Sequence, residues 1–431
     1  MIEKYYNGVI EQVAGGIGNV EHNSILVRYS NDFSIWDLES VNHYKDQTDI
    51  FFTCHEFSYN KIAEAYEPYL GLIRQMFHKY CSGTLEEFME ECDVYKLQRP
   101  VFESYFEKGF CERTEQILID EVEYEQERMH SSIVTMLQKL SEICPIVIVL
   151  NRFQLASKST MQLTNRLLQT ENKNIGIVLG VNDVQSIPEF AHEEWDAICE
   201  SMDDRNMVYH IGNAGRNMEP DVMDYYSDYE SDDGYRKLNN LVYFLDFDQA
   251  DHHLSKIERR IKFDNFTISE KKHYQLLLLQ IMVSVLQRDI AKALESCEDL
   301  EKLQDQEKEG AFYYNFWMAT SYMYLGKLEE AMIYVQKAKE CGEALGDDFL
   351  VFRAELLKAQ NQMSGWCNIF FCAQDIEISD KLIEKLNAYH YKNHLAHIYI
   401  YAYDNKPEIV AKAYRSEAFL IYFSKGVALA K

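Results

Sequence analysis

The sequence predicts two successive folds: an α/β domain with a mostly parallel sheet over residues 1–215, and an all-α helical-repeat array over residues 238–431. Three observations predict this. Up to about residue 215, short apolar runs alternate with amphipathic stretches, the pattern of strands alternating with helices. Beyond residue 238 no strand candidate is found and helical patterns follow one another to the end. Between them, residues 216–237 hold seven carboxylates and four Tyr with no apolar periodicity, which reads as a solvated linker or excursion loop.

The strand candidates of the first region are Ser24 to Tyr29 (SILVRY), Asp49 to Cys54 (DIFFTC), Ile146 to Leu150 (IVIVL), Ile175 to Gly180 (IGIVLG) and Met207 to Ile211 (MVYHI). Helical patterns are expected between them, over Ile62 to Tyr80 and over the long stretch Glu112 to Ile143, where apolar residues recur at three- and four-residue steps. Gly15, Gly16 and Gly18 precede the first strand and read as a turn.

In the second region small residues mark a period. Tyr322, Gly326, Leu328, Ala331 and Ala338 fall at the spacing of a tetratricopeptide helix pair, where Gly permits the turn and Ala lets two helices approach closely. The preceding segment repeats the scheme, with Ile290 and Ala293 opposite Leu328 and Ala331, an offset of 38 residues rather than the usual ~34. The stretch FDQADHHLSKIERRI is expected to form an early capping pair, and the pairs after residue 394 are looser. Stacked pairs of this kind leave a groove, so the array is expected to bind a protein or peptide.

Composition narrows the function classes. Apolar residues make up 47% of the 431 residues and only 6 are Pro, enough to fill cores and too little Pro for long disordered linkers. Seventy acidic against 43 basic residues give a formal charge of −27, which repels phosphate backbones and anionic lipid, so neither nucleic acid nor membrane is expected as a partner. Ten Cys are scattered without a CxxC pair and read as thiols. No leader pattern opens the chain and no run of ~20 apolar residues occurs, so a cytoplasmic location is expected.

The order of parts resembles the STAND class of P-loop ATPases, in which a nucleotide domain precedes helical repeats. That family closes its first strand with a Gly-rich loop and Gly-Lys-Ser/Thr, because backbone amides cradle the phosphates and Lys reaches the terminal ones. Here SILVRY runs into Ser30, Asn31, Asp32, Phe33 and Ser34, without Gly or Lys, and Asp32 stands where phosphate charge should go. The family's second motif is an apolar strand ending in two carboxylates, one for Mg²⁺ and one for the attacking water. In PIVIVLNRFQLASKST the strand matches, as do Phe153, Gln154, Ala156, Ser159 and Thr160, but Asn151 and Arg152 occupy the two acidic positions. An amide is a weak Mg²⁺ ligand and a guanidinium cannot act as a base. Asn182 is similar to the polar residue that ends the next strand, and Ala65, Tyr66 and Pro68 to the region after the second strand. The resemblance therefore implies a degenerate P-loop-like domain with no catalytic residues, no cofactor and no metal.

His390, His394 and His397 share one helical face at i, i+4 and i+7 without a carboxylate or Cys partner, and read as groove lining rather than a metal site. His252 and His253 are adjacent and are expected to point to different faces. The 30 Tyr and 23 Phe, Tyr399, Tyr401 and Tyr403 among them, read mainly as packing, a minority as groove hot spots.

Met363, Ser364, Gly365 and Trp366 look similar to a segment in the amino-terminal regions of bacterial diguanylate cyclases that carry ATPase-like and repeat domains. The chain contains no cyclase active-site motif. These readings predict a non-catalytic sensory or regulatory module of a signal-transduction protein that captures a protein partner or relays to an attached output domain. A diguanylate cyclase is the first expected output and a DNA-binding domain the second, because the final amphipathic helix lacks a stop signal or polar cap. The alternative is a nucleotide-binding STAND ATPase, or a transcription-regulator fragment, that keeps its ligand.

Overall fold

A computed structural model describes residues 2–19, 22–30, 34–45, 47–59, 61–95, 98–112, 117, 122–182, 187–204, 207–211, 229, 231–263, 266–367, 380–389 and 391. All five expected strands are present: β1 (His22–Tyr29), β2 (Phe51–Glu56), β3 (Ile146–Asn151), β4 (Asn172–Asn182) and β5 (Val208–Ile211). They pair in parallel in the order β2-β3-β4-β1-β5. β3 is buried at every position, as an unbroken apolar run in a two-sided parallel sheet should be.

Helix α1 (Ile2–Gly16) precedes β1 and buries Tyr6, Val9, Ile10, Val13 and Ala14 in one core with Ile25, Val27, Val147, Val149 and Val178. Their spacing of three and four residues is an amphipathic signature. The helix sits close because β4 offers glycine beneath it. A Cβ at Gly176 would press on Val13 Cγ1.

Further along come α2 (Glu39–Lys45), α3 (Tyr69–Tyr80), α4 (Leu85–Glu91), α5 (Arg99–Lys108), α6 (Val122–Ile143), α7 (Lys158–Gln169) and α8 (His192–Asp204). Two expected helices are shorter than predicted. The stretch from Ile62 is not helical until Tyr69, because Tyr66 takes a left-handed backbone (φ 56°) and Pro68 follows it. In the stretch expected to be helical from Glu112, Glu112 and Ile117 are not helical, α6 is described over Val122–Ile143, and residues 113–116 and 118–121 lie outside the described residues.

The expected linker also needs correction. Residues 216–228 lie outside the described residues, but α9 (Asp232–Tyr243) occupies 232–237 and beyond. Ser231 caps it by accepting from the Gly234 amide (2.8 Å), and two of the carboxylates, Asp232 and Asp233, fill its first turn, where the helix dipole favours them. The chain divides into two compact units, residues 1–112 with 123–253 and residues 113–122 with 254–431. Residues 238–253 therefore belong with the sheet and not with the helical region, and the division falls inside α10 (Phe247–Phe263).

The second unit is helical among its described residues: α11 (Glu270–Leu286), α12 (Ile290–Lys302), α13 (Gly310–Tyr324), α14 (Leu328–Leu345), α15 (Asp348–Cys367) and α16 (Asp380–Ala388). One core runs through the first five, from Leu277 and Ile281 through Cys297, Phe312, Phe316 and Val335 to Leu350 and Leu357. No helix among the described residues is long and apolar enough to cross a membrane.

Candidate functional site

Parallel sheets of this kind bind ligands outside the carboxyl ends of their strands, where loops leave in opposite directions. In this protein those ends carry Tyr29 on β1, Glu56 on β2, Asn151 on β3 and Asn182 on β4. Register aligns them, since Glu56 pairs with Asn151 and Tyr29 with Asn182.

Asn151 is fully buried. Its Oδ1 accepts from the Tyr29 hydroxyl (2.7 Å) and its Nδ2 donates to Glu56 Oε1 (3.4 Å). Beside it, Arg152 holds a left-handed backbone (φ 53°, ψ 41°), a costly conformation for a residue with a Cβ. That turn aims the guanidinium at the same carboxylate, Nη2 to Glu56 Oε1 at 3.4 Å, and over the Tyr59 ring at 5.1 Å. The two residues standing in the acidic positions therefore converge on one glutamate. Sequence reasoning missed Glu56, although its place at the end of FFTCHE, level with Asn151, was legible once the strands were aligned.

Gly180 lets this cluster form. A Cβ there would run into the Tyr6 hydroxyl and come within 2.6 Å of Asn151 Oδ1. Tyr6 is fully buried beneath the strand ends, its ring 6.5 Å from that of Tyr29, and burial holds its hydroxyl well above the usual phenol range. Asn182 is buried at the end of β4, where its amide donates to Gln154 Oε1 (3.4 Å), so it is tied to the β3 motif. Ser34 precedes a short 3-10 turn, Ile35–Asp37, without capping it through its side chain. Asn31 and Asp32 lie outside the described residues.

The rest of the β3 motif builds the start of α7. Ser157 accepts from the Thr160 amide (3.1 Å), Ser159 Oγ from the Tyr66 amide (3.3 Å), and the Thr160 hydroxyl donates to the Glu67 carbonyl (3.1 Å). The segment after β2 and the segment after β3 thus meet.

Electrostatically, the strand-end cluster is an anion already answered by a cation. A divalent ion beside Glu56 would sit within a few ångströms of a guanidinium, and Coulomb repulsion opposes it. Half-buried His55, one residue earlier on β2, is held below the ordinary imidazole range by desolvation, against the opposing pull of Glu67.

The histidine expectations resolve unevenly. His252 and His253 do not diverge as expected. Their rings lie 5.4 Å apart and both meet Phe190, while His253 Nδ1 hydrogen-bonds the Tyr229 hydroxyl (3.0 Å). His390, His394 and His397 lie outside the described residues, as do Tyr399, Tyr401 and Tyr403. Among the described residues, no group of three or more His, Cys, Asp or Glu is placed to hold a metal. The side chains of Met363, Ser364, Gly365 and Trp366 are not described.

In the helical unit, Ala293, Ala331 and Ala338 are fully buried and Ile290 nearly so. Gly326 takes the left-handed turn (φ 73°) before Leu328, which is partly buried against the core. Tyr322 stacks on Tyr334 (5.5 Å, 18°), with Lys327 over the first ring and Lys337 over the second. Leu325 and Ile333 are exposed.

Searches against family models, curated proteins and solved structures find no match to this chain.

Proposed function

We propose that this chain is a non-catalytic regulatory module: a degenerate P-loop-like domain serving as scaffold, followed by tetratricopeptide-like repeats that bind a protein or peptide. The observation that carries the reading is the strand-end cluster. Asn151 and Arg152 stand where a nucleotide hydrolase needs carboxylates, and both are engaged with Glu56. Phosphoryl transfer to water needs a metal ion and an oriented nucleophile. A cluster whose carboxylate is neutralised from within favours neither.

For the helical unit, the Tyr322–Tyr334 stack beside exposed Leu325 and Ile333 supports a protein partner, since half-buried tyrosines next to apolar side chains make binding hot spots. The chain is proposed to act in signal transduction by relaying partner or ligand occupancy.

Native mass spectrometry of the purified chain tests this. The expected spectrum is that of the bare polypeptide. A co-purifying nucleotide retained at one equivalent would overturn the scaffold reading.

A further inference from the structure

Three helix joints in this protein share one backbone turn. After α11 the Gln287 amide bonds the Val283 carbonyl (2.9 Å), the Asp289 amide bonds Ser284 (2.8 Å), and Arg288 is left-handed (φ 66°). After α13, 38 residues on, Leu325 bonds Ser321 (3.1 Å), Lys327 bonds Tyr322 (2.9 Å), and Gly326 is left-handed. The joint between α9 and α10 repeats this: Phe244 bonds Asn240 (2.9 Å), Asp246 bonds Leu241 (2.8 Å), and Leu245 has φ 69°. Each joint then places an apolar residue first in the next helix and a fully buried Ala three residues later: Phe247 and Ala250, Ile290 and Ala293, Leu328 and Ala331.

What differs is the residue that closes the turn. Asp289 caps its own helix, accepting from the Lys292 amide (3.1 Å). Asp246, at the same place, faces the Gln249 amide of its own helix and also reaches another helix: its Oδ2 accepts from the Ser159 amide in the first turn of α7 (2.7 Å). Its neighbours join it there. Gln249 accepts from the Lys158 amide (3.3 Å) and donates to the Ala63 carbonyl (3.1 Å), and Asp248 pairs with the Lys158 ammonium. Amides that an isolated helix would leave to solvent are therefore satisfied from the α9–α10 joint.

Between Arg152 and α7 lie Phe153, Gln154, Leu155, Ala156 and Ser157, all buried. Such a short, tightly packed connection cannot absorb a shift at Arg152 without passing it to the helix that follows.

We propose that the α9–α10 joint is a clasp on the amino end of α7, with Asp246 as its pin, so that movement at the Arg152 end of the β3–α7 connection is read out as release of the Ser159–Asp246 bond. The strand-end reading supplies only the trigger, and the clasp is testable without any ligand. The groups facing Asp246 are Lys158 and Ser159 of α7, Asp248 of its own joint, Tyr66 before α3, and Glu194 of α8 through its bond to Lys158. Burial pushes its carboxyl up to about 6, against the pull of the Ser159 hydroxyl and amide.

Hydrogen exchange on the full chain, read by mass spectrometry, is the test. Asp246→Ala is expected to speed exchange across residues 151–163 by about tenfold or more while leaving residues 310–345 unchanged. Asp246→Asn keeps an oxygen for the Ser159 amide and should stay within about threefold of the parent. It should also remove any difference in protection of 151–163 between pH 5 and pH 8, after correction for intrinsic rates. Asp289→Ala, the counterpart, should loosen only residues 284–297. Unchanged protection of 151–163 in Asp246→Ala overturns the proposal, and so does an equal rise in every peptide, which would make Asp246 an ordinary core residue. If Asp246→Ala does not fold, a pH effect on 151–163 that persists in Asp246→Asn overturns it instead. A nucleotide found on the chain would overturn the scaffold reading and leave these outcomes intact.

Discussion

At the carboxyl ends of β2 and β3 the arrangement hangs on individual side chains, whereas at the helix joints a backbone shape persists while side chains change. Glu56, Asn151 and Arg152 form a cluster in which replacing one member alters the charge of the whole. Leu245, Arg288 and Gly326 hold the same left-handed turn with three unrelated side chains. The chemistry of the sheet unit should therefore be fragile to single substitutions. The helix joints should tolerate changes at their turns and fail where helices touch.

The largest effect is expected at such a contact. Ala331 is fully buried in the core shared by α13, α14 and α15, so Ala331→Trp should cost about 3 kcal/mol or more by overpacking. Chemical denaturation would measure it, and an unchanged midpoint would mean that Ala331 is not a close-contact position. A comparable test of the strand ends is Gly180→Ala, expected to cost about 2 kcal/mol because its Cβ meets the Tyr6 hydroxyl and Asn151. Adding Tyr6→Phe should recover part of that loss. No recovery would place the strain elsewhere.

Another effect concerns pH. His130 is largely buried, against the edge of Tyr66, and burial lowers its imidazole to about 4. Between its unfolded value of about 6.5 and about 4 the unfolded chain binds the extra proton, so stability should fall as pH drops through that window, by up to about 3 kcal/mol. Asp246 works in the opposite sense. Its carboxyl, raised to about 6, makes the folded state the better proton binder between about 4 and 6, which favours folding at the acid side. Thermal unfolding of His130→Gln and Asp246→Asn across pH 4–8 separates the two, and a steeper acid loss in His130→Gln would refute the first assignment.

The smallest effects belong to the turns. Gly326→Ala should cost about 1 kcal/mol, since a Cβ at φ 73° is strained although the space around it is open. Arg288→Gly should gain up to about 1 kcal/mol by relieving the same strain. Equal responses at both sites would show that the shared turn is not what sets these costs.

These contrasts explain which parts the sequence disclosed. The five strands were legible because short apolar runs such as IVIVL have few other uses than a buried strand. The 38-residue offset was legible through Gly326, whose residue type announces its φ. The same turn at Leu245 is hidden, because nothing about leucine signals a left-handed backbone, and the carboxylates of residues 216–237 mask the start of α9 at Asp232. Tyr66 hid the late start of α3 in the same way. At the strand ends, Asn151 and Arg152 were visible as substitutions in a motif, but Glu56 became meaningful only through strand register. Asp246 reached α7 across 87 residues of sequence, a distance over which no local pattern speaks.

The central claim is that the strand-end cluster neither hydrolyses nor is stabilised by a nucleotide–metal complex. Thermal unfolding with Mg-ATP, alongside phosphate release, tests it most directly. A ligand at 100 times its dissociation constant would stabilise the fold by ~2.7 kcal/mol, a readily visible shift. The account predicts no shift and no phosphate release. A clear shift with Mg-ATP that disappears in Asn151→Ala would contradict it.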